Sequence, residues 1–401
     1  MRQVVREIKL LLEHPIYILS MVVLPLFVTL FFTSLMEEGQ PEDMPIGVVD
    51  LDNTSATRKL TRMLDSFQAS RVVAHYASVD EARHAIQKNE IYAFILFPKN
   101  MTRDMTSMRR PKMSFYYSYT SLTAGSLIFK DMKTVSTLAS AAIGQATLQA
   151  KGMTAEQTRA FLQPIALDVH TVGNPGVNYN IFLSNMLVPA VLMIFIFLVT
   201  IYSIATEMKF GTYVEWIEAS DGNFTKALFL KVFTQTVIWF IVFACMMGYM
   251  YGTLGFPAPG GYWKLMLLGA LTILASQGFA MFLFGLIASP RMAMSVGALW
   301  GVLSFSMVGS AFPILAMDAP MHTLTWLFPL RHYYIIYQLC IFNSYPLTYV
   351  MPNIIALLCF ILASLAVIHR MEREIKTFDI FQKQQKYYYH QQDKIQNRRM
   401  A

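Results

Sequence analysis

Apolar residues gather into long runs along this chain, separated by polar stretches of very unequal length. Crossing ~30 Å of hydrocarbon takes about 20 residues at helical rise. Six runs meet that length, at residues 15–36, 181–206, 229–251, 265–288, 293–315 and 348–368. Ahead of the first, Val4, Val5, Ile8, Leu11 and Leu12 recur at helical spacing, with Arg2, Arg6, Lys9 and Glu13 opposite. That pattern predicts a helix lying in the membrane interface. The first run follows basic residues as a signal peptide does, but it is too long and no small-x-small site follows Met36, so it reads as an uncleaved anchor.

Between the first two runs the pattern changes. Residues 37–178 alternate short apolar strands with polar helices: strands at Ile46–Val49, Val72–His75, Ile91–Phe97 and Met113–Tyr117, and helices at about Ser55–Phe67, Val79–Lys88 and Thr123–Gln149. Such alternation predicts a mixed α/β domain with its own core. The stretch 316–346 is also apolar, but Asp318, His322, Arg331 and His332 fall within it, along with Pro320, Pro329 and Pro346. A mid-bilayer Asp or Arg costs ~2.5–3.5 kcal/mol on insertion scales. The stretch is therefore expected not to cross, and to form short helices at the outer interface, shielded by protein.

Charge sets the orientation. Basic residues flank the first run on its N-terminal side, and the tail 369–401 carries eight Lys/Arg against four Asp/Glu. Both termini are expected inside and 37–178 outside. The insertion holds 15 Lys/Arg and 14 Asp/Glu, so it shows no nucleic-acid patch. The fold class expected is a polytopic α-helical membrane protein with six transmembrane helices and a mixed α/β extracytoplasmic domain. Its parts are residues 1–36, the interfacial helix and first span; 37–178, the outer domain; 179–368, spans two to six with a cytoplasmic loop at 207–226; and 369–401, a basic tail. The tail is rich in Gln, Lys and Tyr from Phe378 onward, which reads as partly disordered and suited to anionic lipid headgroups.

Composition agrees, with 55% of the 401 residues hydrophobic and 14% charged, too apolar for a soluble domain or a disordered chain. The three cysteines, Cys245, Cys340 and Cys359, make no CxxC or Cys/His cluster, so neither a disulfide framework nor a metal site is expected. Catalytic residues are not expected either. No GxxxxGK[ST], HExxH or GxSxG motif occurs, so the chain has no phosphate cradle of its own.

The loop after the second run reads Glu207-Met-Lys-Phe-Gly211-Thr212-Tyr-Val-Glu215-Trp-Ile-Glu218, acidic where a cytoplasmic loop is usually basic. It is either a solvated turn or a surface facing a basic partner. On a continuous helix Glu207 and Glu215 would share a face, with Gly211 between them. This segment resembles the Glu-x-x-x-Gly-Thr-x-x-Glu stretch of type 2 ABC exporter permeases, in the branch with a large extracytoplasmic domain between its first two spans. Further similarities are Asn174-Pro175-Gly-Val-Asn178-Tyr179 followed by Leu187-Val188-Pro189, Val49-Asp50-Leu51-Asp52-Asn53, and the segment with Pro329 and Tyr333. The chain departs from that pattern after Glu218, where Ser220-Asp221-Gly222-Asn223 replaces the family's Ser/Thr-Pro.

The resemblance implies a non-catalytic permease subunit in a bacterial inner membrane, moving a hydrophobic or amphipathic substrate outward. It implies two separate ABC ATPase subunits holding ATP and Mg, a second permease copy or a paralogue, and, as is common in this branch, a periplasmic adaptor and outer-membrane channel. Glu207, Gly211, Thr212, Glu215 and Glu218 would then couple to the ATPase. Asn185, Gln235, Ser276 and Gln277 would either line the substrate path or bond neighbouring helices. Gly297 and Gly301, at small-xxx-small spacing, suit helix packing. A membrane-anchored receptor or assembly scaffold with a ligand-binding outer domain is the alternative.

Overall fold

The computed structural model describes residues 2–400 apart from 108, 110, 165–167, 169, 171–172, 175, 288 and 311. The chain divides into two compact units, Glu38–Tyr179 and the combination of Met1–Glu37 with Asn180–Ala401. The second begins with helix α1, Arg2–Glu13, and helix α2, Pro15–Leu35. Within α2 the turn Leu19–Val23 is widened, the Leu24 N–H bonding back to the Leu19 carbonyl. Pro25 follows at once; its ring would crowd the carbonyl of an ordinary turn, and the extra residue relieves that clash.

In the unit Glu38–Tyr179 four strands, β1 (Met44–Asp50), β2 (Ser70–His75), β3 (Ala93–Phe97) and β4 (Ser114–Tyr117), form a sheet in the order β2-β1-β3-β4. Strand β1 runs parallel to both of its neighbours, and β4 is antiparallel to β3. Parallel neighbours need crossovers, and helices α3 (Ser55–Asp65) and α4 (Val79–Gln87) supply them. Three more helices follow, α5 (Met101–Thr106), α6 (Leu122–Ala150) and α7 (Ala155–Leu162). Helices cover both faces of β1, which is why it reads as a continuous apolar run and not as an alternation. Ile46 and Val48 pack with Leu60 and Leu64 of α3 and Ile128, Met132 and Val135 of α6, while Val49 and Phe94 pack on Ala82 and Ala85 of α4. The strands start and stop within two residues of the sequence expectation. Helices α5 and α7 were not anticipated. The first is too short to show a period, whereas the second is announced by a reciprocal cap between Thr154 and Gln157.

The remaining helices are α8 (Tyr179–Phe210), α9 (Tyr213–Glu218), α10 (Phe224–Met247), α11 (Tyr262–Ile287), α12 (Pro290–Met307), α13 (Ala319–Leu324), α14 (Pro329–Ile336) and α15 (Met351–Met400). Among the described residues, five helical segments are long and apolar enough to cross a membrane: Pro15–Leu35, Tyr179–Phe210, Phe224–Thr253, Tyr262–Ile287 and Leu347–Phe378. The chain is thus a polytopic helical membrane protein. The run expected to span at 293–315 does not reach that measure. Helix α12 has 18 residues, opens on Pro290 and Arg291, and ends at Met307 before Gly309, whose φ of +99 is left-handed. Apolar character alone had hidden this stop.

Residues 316–346 hold only short helical pieces, and Arg331 and His332 inside them are buried. The Arg331 Nη1 donates to the His322 carbonyl at 3.2 Å and its guanidinium lies over the Trp326 ring at 5.3 Å. The His332 ring nitrogens each lie 2.9 Å from a partner, Asn353 Oδ1 and the Trp326 carbonyl. Protein therefore surrounds Arg331 and His332, whereas Asp318 is exposed. The tail is helical in backbone through Met400. It has no Gly and no Pro after Pro352, so nothing in it breaks a helix.

Helices α11 and α15 meet through glycine. A Cβ on Gly278 would fall 2.6 Å from the Phe360 carbonyl oxygen and 2.7 Å from the Ile361 Cα, both backbone atoms that cannot turn aside. Gly278→Leu should therefore force the helices apart and destabilise the chain by about 1–3 kcal/mol. The check is a thermal melt of the purified protein in detergent, and an unchanged midpoint would show that the helix pair tolerates separation.

Candidate functional site

Helix α1 turns a polar face inward. Gln3, Glu7 and Leu11, one helical repeat apart, are buried, while Val5, Ile8 and Leu12 are 60%, 44% and 65% exposed. Val5, Ile8 and Leu12 of the expected apolar stripe thus face outward, Leu11 faces protein, and so does the carboxylate of Glu7.

Lys231, in the third turn of α10 and fully buried, meets that carboxylate. Its Nζ lies 2.8 Å from Glu7 Oε2 and 2.9 Å from Glu207 Oε1. Arg6 grips the same Glu207 with two parallel bonds, Nη1 to Oε1 at 2.9 Å and Nη2 to Oε2 at 2.8 Å, and reaches Glu7 Oε1 at 3.0 Å. Gln3 Nε2 donates to Glu7 Oε1 at 2.8 Å. Two carboxylates thus face one ammonium and one guanidinium, with every charge answered. This balance is what makes a buried ionic group tolerable, since desolvating each ion costs several kcal/mol. The Lys231 ammonium also lies 5.2 Å from the centroid of Trp216, a ring with no exposed surface that packs edge-on against Phe224.

The Glu207 spacing has a backbone cause. Helix α8 ends with Gly211 at φ +68, the left-handed position that closes a helix without a side-chain penalty. The Gly211 N–H bonds to the Met208 carbonyl and the Thr212 N–H to the Glu207 carbonyl at 3.2 Å, the paired closure of a Schellman cap. The Thr212 hydroxyl then donates to the Glu207 carboxylate. Glu207, Gly211 and Thr212 are therefore one device that ends α8 and fixes the Glu207 side chain. The helix does not continue to Glu215, and the shared face expected for the two acids is absent.

Beyond the cap, α9 buries Tyr213 and Trp216 and exposes Val214, Glu215 and Glu218. The Ser220-Asp221-Gly222-Asn223 segment turns through Asp221 at φ +58 and Gly222 at φ +78, and the Asn223 side chain caps α10 by accepting from the Lys226 N–H at 3.0 Å. Of the five residues expected to couple to an ATPase, the structure places Glu207 and Thr212 in an inward network, Gly211 at the turn, and Glu215 and Glu218 on an outward face.

Other expected site residues are placed apart from this cluster. Asn185 accepts from the Tyr251 hydroxyl and donates to the Ile181 carbonyl. Ser276 bonds the Thr272 carbonyl, and Gln277 accepts from the Thr236 hydroxyl at 2.7 Å. Gln235 is buried, and neither of its amide atoms has a hydrogen-bond partner among the described residues. Gly297 and Gly301 pack on α8 of the same chain, where added Cβ atoms would meet Ile201 at 3.0 Å and Ile194 at 2.6 Å. No group of three or more His, Cys, Asp or Glu gathers for a metal among the described residues.

Across residues 15–369 the chain matches the family described as ABC-2 family transporter protein. The chain belongs to this family. It is accordingly the membrane component of an ABC transporter, a role generally free of catalysis, and membership implies ABC ATPase partners in general. No curated protein matches it. In this ABC-2 chain the residues missed by sequence reasoning were Gln3, Glu7, Lys231 and Trp216. Lys231 did carry a signal, since an ionisable residue inside an apolar run is a functional candidate by default.

Proposed function

We propose that this ABC-2 chain is the permease of an ATP-driven exporter for a hydrophobic or amphipathic substrate, and that the ionic cluster around Glu207 carries force from the ATPase side. The single supporting observation is that Glu207 sits at the end of α8, beside the exposed Glu215 and Glu218, and is bonded at once to α1 through Arg6 and α10 through Lys231. A push on α9 would then move three helices together, because a bidentate pair resists rotation as well as separation.

In this reading α12 is the fifth of six spans: its 18 residues rise about 27 Å, near the ~30 Å of the hydrocarbon core. Six spans return both termini to the cytoplasm, leaving Glu38–Tyr179 outside and the cluster inside, next to two ATPase subunits with their ATP and Mg. A second copy or paralogue completes the path. A periplasmic adaptor and an outer-membrane channel would continue it from the inner membrane of a Gram-negative cell.

The test is labelling with a membrane-impermeant maleimide on intact spheroplasts, after replacing the three native cysteines. Glu156→Cys should label and Gln391→Cys should not, and an ABC ATPase should co-purify with the chain. A labelled tail would sink the six-span arrangement, and purification without any ATPase would count against the transport reading.

A further inference from the structure

The unit Glu38–Tyr179 contains a groove of about 950 Å³, at the upper end of the roughly 300–1,000 Å³ that ligand pockets occupy. It runs between α5, the start of β4, the C-terminal half of α6, and α7. Its walls are mixed, apolar side chains standing among the hydroxyls of Ser114, Ser136, Ser140 and Thr147. Met101, Met105 and Met113 line one side, and Ile143, Leu148 and Phe161 line the other. Methionine thioethers adapt to ligands of varied shape. Phe161 stands 68% exposed, an aromatic ring left in water at the groove. Gly144 lets α7 close on α6, for a Cβ there would fall 2.7 Å from the Leu162 Cδ2.

The charged residues lining the groove are Arg109 and Lys112, and no Asp or Glu lines it among the described residues. The nearest acid partner is Asp104, whose Oδ1 lies 3.7 Å from Arg109 Nη1 in a pair with exposures of 33% and 78%. An exposed pair of this kind is weak enough for another anion to displace. The sequence concentrates both features: residues 101–113 hold four Met and four Arg/Lys against one Asp.

Methionines and an exposed aromatic ring beside a cationic rim match a molecule of complementary make-up. We propose that this groove binds an amphipathic anion, an alkyl chain lying against the methionines and Phe161 with its carboxylate or phosphate head at Arg109 and Lys112. The site is separate from the ionic cluster and does not depend on the transport reading.

The test uses the full-length chain in phosphatidylcholine nanodiscs with three diazirine-bearing probes: palmitic acid, the matching fatty alcohol, and phosphatidylglycerol. Peptide mass spectrometry locates the cross-links. Palmitic acid should label residues 136–162 about tenfold more than the alcohol, the worth of two partly exposed charges. Arg109→Glu with Lys112→Glu should reduce acid labelling to the alcohol's level. Ser140→Trp, an exposed change that fills the groove, should remove it while leaving the melt unchanged. Labelling by phosphatidylglycerol in place of the acid would support the site and assign the head to a lipid phosphate. Equal labelling by acid and alcohol, labelling undiminished by Ser140→Trp, or labels confined to the membrane helices would overturn it.

Discussion

Lys231→Met should destabilise the protein by about 3–5 kcal/mol, the cost of breaking a buried pair and leaving its partners uncompensated. The substitution keeps an unbranched side chain one atom shorter and removes the charge. Glu7 and Glu207, each 1% exposed, would then share Arg6 as their remaining cation in the cluster. Two carboxylates so close and so dry repel each other, and neither finds water to compensate. Adding Glu7→Gln and Glu207→Gln to Lys231→Met should restore much of the loss, because neutral amides pay far less for burial than ions do. The measurement is the melting midpoint of each variant in the same detergent. A single variant melting with the wild type would show that water reaches the cluster, contrary to the zero exposure of Lys231.

Glu215→Ala with Glu218→Ala should do the reverse, leaving the melt unchanged and loosening the ATPase. Both side chains point outward from α9 and have no ion-pair partner among the described residues. If they meet Arg or Lys of the ATPase in a partly dry groove, their loss should weaken assembly by about 30-fold or more, the equivalent of ~2 kcal/mol at the low end for such pairs. Glu207→Ala should lower the melt first, and lower transport through that loss. Measuring complex recovery and melting on the same preparations separates Glu207 from the outward pair. Unchanged ATPase recovery in the double variant would leave α9 as a solvated turn.

Much of this was legible in the chain. Twenty-residue apolar runs mark spans because a bilayer offers backbone groups no other partner. Strand and helix periods mark the α/β unit for the same local reason: a side chain's direction follows from its own backbone. The acidic Glu-x-x-x-Gly-Thr spacing was visible too, and its meaning proved local, since the glycine and threonine close α8 at the position that holds Glu207. The limits of α12 were harder, because Gly309 and Pro313 interrupt an apolar run without changing its character.

Sequence alone marked five of the long apolar helices, the alternation of strands and helices between the first two, and the loop that carries acids. These depend on composition and on neighbours a few residues apart. Tertiary structure alone decided what the acids face. Arg6 and Glu207 are 201 positions apart, and Glu7 and Lys231 are 224 apart. No periodicity links such residues, so a partner on another molecule and a partner on a distant helix look alike from the sequence. The packing of α1 against α8 and α10 chose the second for Glu207, because its buried carboxylate needed cations within reach and Arg6 and Lys231 were the ones brought there.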